Sequence, residues 1–144
     1  MQGNNIATWL WVCLVIFTLR VLGQFLVYKF DIQALPSFAA WYSGVISYKF
    51  LLLWQLFIMS AMGLFAYRIS KNLVVPRYRL GVVLRAVGTL YFCIMFVRLL
   101  ISLFGLSNDI WFSRPIPSFF HLILASYLFL VGRYHLIKSE PQRG

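Results

Sequence analysis

The chain has 144 residues, of which 62% are hydrophobic and only 11% are charged, so it has too few polar residues to cover a water-soluble globule. Its mean hydropathy of +0.83 indicates that lipid covers much of its surface. Thirteen Lys and Arg residues oppose three acids, which gives a formal net charge of +10. In a membrane protein such an excess sets topology and attracts the lipid bilayer's anionic headgroups, so we expect no nucleic-acid partner.

Four hydrophobic segments are long enough to cross a bilayer, and they predict helices at about residues 6–28, 49–68, 80–105 and 115–137. The first segment lacks the basic start and the small-residue cleavage site of a secretory signal, so we expect it to be retained. No repeat or linker divides the chain. We therefore predict an all-α integral membrane protein with a single four-span domain over residues 1–144, folded as an antiparallel four-transmembrane-helix bundle.

The distribution of Lys and Arg predicts how the chain is oriented. With four spans, both termini and the second connection share one side of the membrane, and that side has the larger number of Lys and Arg residues. The positive-inside rule then places both termini in the cytoplasm, in a multi-pass protein that we expect in the bacterial cytoplasmic (inner) membrane. We also expect the basic residues of the second connection to bind anionic headgroups: Arg68, Lys71, Arg77 and Arg79.

Small and polar residues predict which helix faces pack together. Gly81 and Gly88 are one heptad apart in the third helix, and glycines at that spacing permit close helix approach. In the second helix, Gln55 shares one face with Met62 and Ala66. We expect these faces to contact other helices rather than lipid.

Five polar residues, drawn from all four predicted helices, form the main functional signal: Arg20, Gln24, Gln55, Arg98 and His121. A helix rises about 1.5 Å per residue, which puts all five in one layer at a depth of about 6–12 Å below the outer membrane surface. An Arg at the bilayer centre costs about 2.5–3.5 kcal/mol on insertion scales. All three acids, Asp31, Asp109 and Glu140, lie outside the predicted helices, so the buried positive charge needs another partner.

Several groups could neutralise these arginines. A carboxylate from a connection, an acidic partner subunit, or an anionic ligand such as a lipid phosphate, a fatty acid or the propionates of haem would each suit the planar guanidinium. Alternatively, both arginines extend to the outer headgroups, and the glutamines and His121 only make hydrogen bonds between helices. Both explanations remain open from the sequence, so the five residues are a hypothetical ligand-binding pocket.

The histidines and cysteines limit the cofactors. His121 and His135 are 14 residues apart on one helix face, a spacing similar to that of paired ligands in diheme membrane cytochromes. Each haem there needs a matching histidine on a second helix, which this chain lacks. We therefore predict no cofactor, with haem b or quinone near His121 as the alternative. Cys13 and Cys93 form no CxxC pair, so no metal site is predicted either.

No catalytic motif or acidic pair is recognisable, and the absence of carboxylates inside the helices argues against an ion-coupled transporter. We expect a non-catalytic accessory or assembly subunit of a larger membrane complex, with an acidic membrane-protein partner or a second copy of the chain. The alternative is an autonomous binding protein for an anionic amphiphile, such as a lipid or lipid-linked phosphate or carboxylate, in the outer Arg/Gln/His pocket. A second alternative is an electron-transfer subunit that holds haem or quinone at His121.

Overall fold

The computed structural model describes residues 2–42, 44, 46–109 and 112–139. In these residues the protein has five helices and no strand. They are α1 (Gln2–Phe30), α2 (Phe38–Trp41), α3 (Tyr48–Ser70), α4 (Tyr78–Leu103) and α5 (Pro115–Ser139). The helices α1, α3, α4 and α5 are each long and apolar enough to cross a membrane, which confirms the predicted all-helical, four-span composition of a multi-pass membrane protein.

The helices α3 and α4, like α1 at Asp31, are followed by a residue in the left-handed backbone conformation. After α4, Gly105 has φ +62°, and the Leu106 amide donates back to the Ile101 carbonyl at 3.1 Å, as in a Schellman motif. This termination explains why α4 stops two residues before the predicted end at residue 105. After α3, Asn72 adopts the same left-handed conformation, with φ +53°. Both ends leave their helix carbonyls satisfied before the chain turns.

The helices α4 and α5 pack most closely, because glycines face each other across their interface. A Cβ added at Gly88 would lie 2.8 Å from the backbone nitrogen of Phe129, and one at Gly132 would lie 2.7 Å from that of Arg85. A Cβ at Gly81 would meet the Gly132 carbonyl oxygen at 3.0 Å. The close approach predicted at Gly81 and Gly88 is therefore confirmed, and Gly132 supplies its other side.

The apolar core lies between α1, α3 and α5. Its most buried members include Leu10, Phe17, Met62, Ala66, Ile69 and Tyr134. Tyr127 of α5 donates its hydroxyl to the Met62 carbonyl of α3 at 2.6 Å, which links these helices inside the core. Gln55, Met62 and Ala66 are all buried, as their shared helix face predicts.

Aromatic residues of the first connection pack together against the end of α1. The rings of Tyr28, Phe38, Tyr42 and Tyr48 pack against one another. Trp41, at the end of α2, donates from its indole nitrogen to the Pro36 carbonyl at 2.9 Å. Its ring lies against Gly23, where an added Cβ would come within 3.1 Å of the indole. These contacts hold the Trp41 backbone over the second half of α1.

The second connection is held by the last turns of α5. His135 is buried, and its Nδ1 accepts a hydrogen bond from the Arg77 amide at 3.1 Å, next to the start of α4. Tyr134 donates to the Val74 carbonyl at 3.3 Å. His135 therefore makes an internal contact that fixes the connection. The basic side chains predicted to bind headgroups are all exposed: Arg68, Lys71, Arg77 and Arg79.

Candidate functional site

The polar residues predicted to form a pocket lie inside the helix assembly. Arg20 is 8% exposed, Arg98 and Gln55 are each 3% exposed, and Gln24 is fully buried. His121 is partly buried. Depth along the helices did not determine whether the two arginines are buried, and the structure shows that both are.

A chain of hydrogen bonds joins three of these residues through the first connection. The Gln24 side-chain nitrogen donates to the Trp41 carbonyl at 3.3 Å, and the Gln55 side-chain nitrogen donates to the Gln24 Oε1 at 3.1 Å. Arg20 Nη2 donates to the same Trp41 carbonyl, also at 3.3 Å. The two lone pairs of this oxygen therefore have two donors. One backbone carbonyl organises side chains from α1 and, through Gln24, from α3.

A cavity of about 190 Å³ lies beside this chain, between α1, α3 and α5, with one residue of α4 at its edge. Its polar lining residues are Arg20, Gln55, Tyr91 and His121, and the remainder of the lining is apolar or aromatic. The guanidinium carbon of Arg20 lies 5.5 Å from the centre of the Phe120 ring, in cation–π contact. The structure thus brings three of the five predicted residues to one cavity, and a fourth, Gln24, is bonded to its wall.

Two polar atoms at this site are buried without a hydrogen-bond partner, namely Nε of Arg20 and Oε1 of Gln55. Leaving a buried donor or acceptor unsatisfied costs about 1–3 kcal/mol, and more when the group is charged. Within the described part of the chain, Arg20 contacts the Trp41 carbonyl and the Phe120 ring, and no carboxylate. An unpaired donor and an unpaired acceptor therefore belong to two side chains that line the cavity.

The fifth predicted residue, Arg98, is buried in α4 but does not line the cavity. It acts electrostatically on Tyr91 and on His121, as Arg20 also does on His121. Tyr91 Oη and His121 Nδ1 lie 2.5 Å apart, which ties α4 to α5 at the cavity edge. The positive potential of the site therefore comes from two arginines on different helices.

Three residues of the site were not among the predicted ones. Tyr91 lies seven residues before Arg98, on the same face of α4, so helical spacing could have indicated it. Trp41 acts through its backbone carbonyl, and no pattern of side chains in a sequence shows which carbonyl will accept these hydrogen bonds. Phe120 precedes His121, but its place under Arg20 depends on how α1 and α5 pack.

A second, larger groove of about 580 Å³ lies between α1, α4 and α5, and none of the five predicted residues lines it. Its walls include Trp9, Phe92, Ile123 and Leu130, and its surface is almost entirely apolar. Such a groove is suited to hydrocarbon chains. Its polar lining residues are Thr89, Ser126 and Arg133.

The small cavity is a poor match for a large cofactor. Sites that enclose a drug-sized molecule or cofactor typically have volumes of about 300–1,000 Å³, and this one has about 190 Å³. His135 lies at the far end of α5, where its Nδ1 accepts from the Arg77 amide. Among the described residues, no three His, Cys, Asp or Glu side chains come together as a metal site requires.

The arrangement can therefore hold one small acidic group, by charge from Arg20 and Arg98 and by hydrogen bonds from Arg20 and to Gln55. Hydrocarbon attached to that group would lie among the apolar lining residues and the surrounding lipid. Comparison of the chain with protein-family models, with curated proteins and with solved structures finds no match.

Proposed function

We propose that the protein binds an anionic amphiphile, with the acidic headgroup in the cavity and the hydrocarbon chains in the adjoining lipid. The observation that carries this proposal is the position of Arg20. It lies in a helix able to span a membrane, it is buried, and it lines a cavity where no carboxylate contacts it among the described residues. A buried guanidinium in a membrane needs an anion or a hydrogen-bonding partner, and an acidic headgroup supplies both.

Extension of Arg20 to the outer headgroups would be the simplest competing explanation. Its guanidinium does reach the first connection, since it bonds to the Trp41 carbonyl. However, the side chain is only 8% exposed and is covered by Trp41 and Phe120, so it is not immersed in bulk headgroups. The burial supports a selected ligand over a general lipid surface.

The topology that we propose is an antiparallel bundle with both termini in the cytoplasm of a bacterial cell, which places the cavity in the outer half of the cytoplasmic membrane. Contacts between α1 and α3 support the opposite directions of those two helices, because Trp11 bonds to Ser70 while Gln24 bonds to Gln55. The exposed basic residues of the connection over 68–79 support the orientation, since they would meet anionic headgroups on the inner side.

The experiment is a titration followed by native mass spectrometry in detergent, with phosphatidic acid and with diacylglycerol of the same acyl chains. We expect the wild-type protein to prefer phosphatidic acid, and the Arg20→Gln variant to lose at least about tenfold of that preference, because a charge-assisted hydrogen bond is lost. Arg85→Gln is the matched control, since Arg85 is exposed on α4 and lies over the Phe129 ring outside the cavity. Equal losses in both variants, or no loss in either, would contradict the proposal.

An accessory subunit of a larger membrane complex is the second candidate. An aromatic stripe at helical spacing on α3, formed by Phe50, Trp54 and Phe57, is exposed beside the cavity and favours contact with another membrane protein. An acidic side chain from that protein, or from a second copy of the chain, would then neutralise Arg20. Co-purification of a membrane protein that Trp54→Ala abolishes, without any retained anionic lipid, would favour this role over lipid binding.

Haem or quinone near His121 has the least structural support. The cavity volume is below that of typical cofactor sites. An absorbance spectrum of protein from haem-replete cells tests it directly. A Soret band that disappears in His121→Ala would restore this candidate.

A further inference from the structure

The direction of the hydrogen-bond chain at the site is determined by its first member. The Trp41 carbonyl can only accept, so Gln24 must turn its amide nitrogen towards it. The Oε1 of Gln24 then faces Gln55, which must in turn present its own amide nitrogen. The positions of the nitrogen and the oxygen are therefore determined in each of the two side-chain amides.

Because the nitrogen of Gln55 donates to Gln24, the side-chain oxygen of Gln55 is the atom left without a hydrogen bond. Gln55 lines the cavity, and its Oε1 is buried without a partner. Arg20 lines the same cavity, and its unused group, Nε, is a donor on a positive charge. A headgroup that satisfies both atoms must have a negative oxygen for Arg20 and an O–H or N–H donor for Gln55.

We propose that the headgroup is a phosphate monoester, bound as its monoanion, with P–O⁻ accepting from Arg20 and P–OH donating to Gln55. This inference rests on the proposed binding of an anionic amphiphile and names the class of its headgroup. An ionised carboxylate lacks the donor, and a protonated carboxylic acid lacks the charge. The phosphate of a diester also lacks the donor. A phosphate monoester has a second pKa near 6, so about a tenth of it keeps one O–H at pH 7, and the acceptor on Gln55 selects this form over the dianion.

Size agrees with this class. The cavity of about 190 Å³ is closed on one side by the Phe120 ring under Arg20 and has Tyr91 and His121 at its edge. A compact tetrahedral group fits such a space, while the hydrocarbon that it carries continues along the apolar lining. Arg98 does not line the cavity, but it lies near enough to Tyr91 and His121 to act on both electrostatically.

The test compares four lipids with identical acyl chains on the wild-type protein in detergent, by native mass spectrometry. Phosphatidic acid has the anion and the O–H together, phosphatidylmethanol has the anion alone, diacylglycerol has the hydroxyl alone, and phosphatidylglycerol carries its hydroxyls on a separate glycerol. We expect phosphatidic acid to bind about tenfold more tightly than phosphatidylmethanol, since one hydrogen bond to a charged group distinguishes them. Diacylglycerol should bind most weakly.

Two variants test how the preference arises. Gln55→Met removes the acceptor and should reduce the ratio between phosphatidic acid and phosphatidylmethanol to about one, while phosphatidylmethanol still binds. Gln24→Met leaves Gln55 in place but removes the bond that orients the Gln55 amide. The ratio between phosphatidic acid and phosphatidylmethanol should therefore fall, while both anions still bind. Gln24 is thus a positioning residue, and a merely structural role would lower both affinities together.

The outcomes separate this inference from the function on which it rests. Equal binding of phosphatidic acid and phosphatidylmethanol, both weakened by Arg20→Gln, would overturn the phosphate monoester and leave anion binding intact. Tighter binding of phosphatidylglycerol than of phosphatidic acid would replace the monoester by a hydroxylated diester. Binding of both anions no tighter than that of diacylglycerol would overturn the inference and the proposed function together. The wild-type comparison does not depend on whether any variant folds.

Discussion

A single methyl group at Gly88 should separate the two most closely packed helices. In Gly88→Ala the new Cβ would lie 2.8 Å from the Phe129 nitrogen and 3.2 Å from the Ala125 carbonyl oxygen, both below the 3.4 Å at which ordinary contact begins. Backbone atoms of a helix cannot rotate away as a flexible side chain can. Overpacking of this kind typically costs about 1–3 kcal/mol.

Gly63→Ala is the matched control, because a Cβ there would meet only the Cδ2 of Leu14, at an ordinary 3.6 Å. Both substitutions gain the same helix propensity, about 1 kcal/mol for Gly to Ala in a helix interior. The difference between the two variants therefore isolates the clash. We expect Gly88→Ala to be less stable than Gly63→Ala by about 1–3 kcal/mol.

The assay is equilibrium unfolding of each variant in mixed micelles, titrated with SDS and followed by circular dichroism. Displacement of α4 would also move Tyr91 from His121, so Gly88→Ala should bind phosphatidic acid more weakly than Gly63→Ala. Equal stability of the two variants would show that α4 and α5 do not approach as closely as their facing glycines require. Such a result would refute the packing on which the edge of the cavity depends.

Three further predictions concern single contacts. Tyr127→Phe removes the hydroxyl that donates to an α3 carbonyl, and should lower stability by about 0.6 kcal/mol, the average for hydrogen bonds between membrane helices. His135→Leu removes the acceptor of the Arg77 amide, so hydrogen exchange at that amide should become faster. A lipid-soluble maleimide should label the exposed Cys93 and spare the buried Cys13 until the protein is denatured.

Each of these has a clear contrary result. Unchanged stability in Tyr127→Phe by SDS titration would contradict the contact between α5 and α3. Exchange at Arg77 that is as slow in His135→Leu as in the wild type would mean that another group holds the connection. Labelling of both cysteines at the same rate in the native protein would contradict the burial of that face of α1.

Composition was sufficient to predict the helices, because only long apolar helices satisfy their backbone inside lipid. Their ends were predicted within a few residues, and the errors have local causes. The helix predicted to reach residue 105 stops earlier because Gly105 adopts the left-handed conformation, which a pattern of apolar residues does not indicate. Gly81 and Gly88 predicted the close helix pair correctly, because small residues at heptad spacing let two helix backbones approach each other.

Three residues of the cavity lining were predictable from the sequence, whereas the hydrogen bonds that connect the site were not. Depth along each helix grouped Arg20 with Gln55 and His121, and all three line one cavity. The direction of the Arg20 side chain depends on tertiary packing. At the same depth in the membrane it could either extend to the headgroups or be buried between helices. The hydrogen-bond chain begins at the Trp41 carbonyl, and backbone acceptors carry no sequence signal. Which atom of Gln55 remains free follows only from that chain.

The most direct test of the central claim is native mass spectrometry of the protein extracted gently from its own membrane, together with an absorbance spectrum of the same sample. Binding in the cavity lined by Arg20, Gln55 and His121 predicts one retained anionic lipid species with a phosphate monoester, and no visible chromophore. In Arg20→Gln that species should be lost. A bare chain, or one that carries only a mixture reflecting the bulk membrane, would contradict the account and direct attention to a missing protein partner.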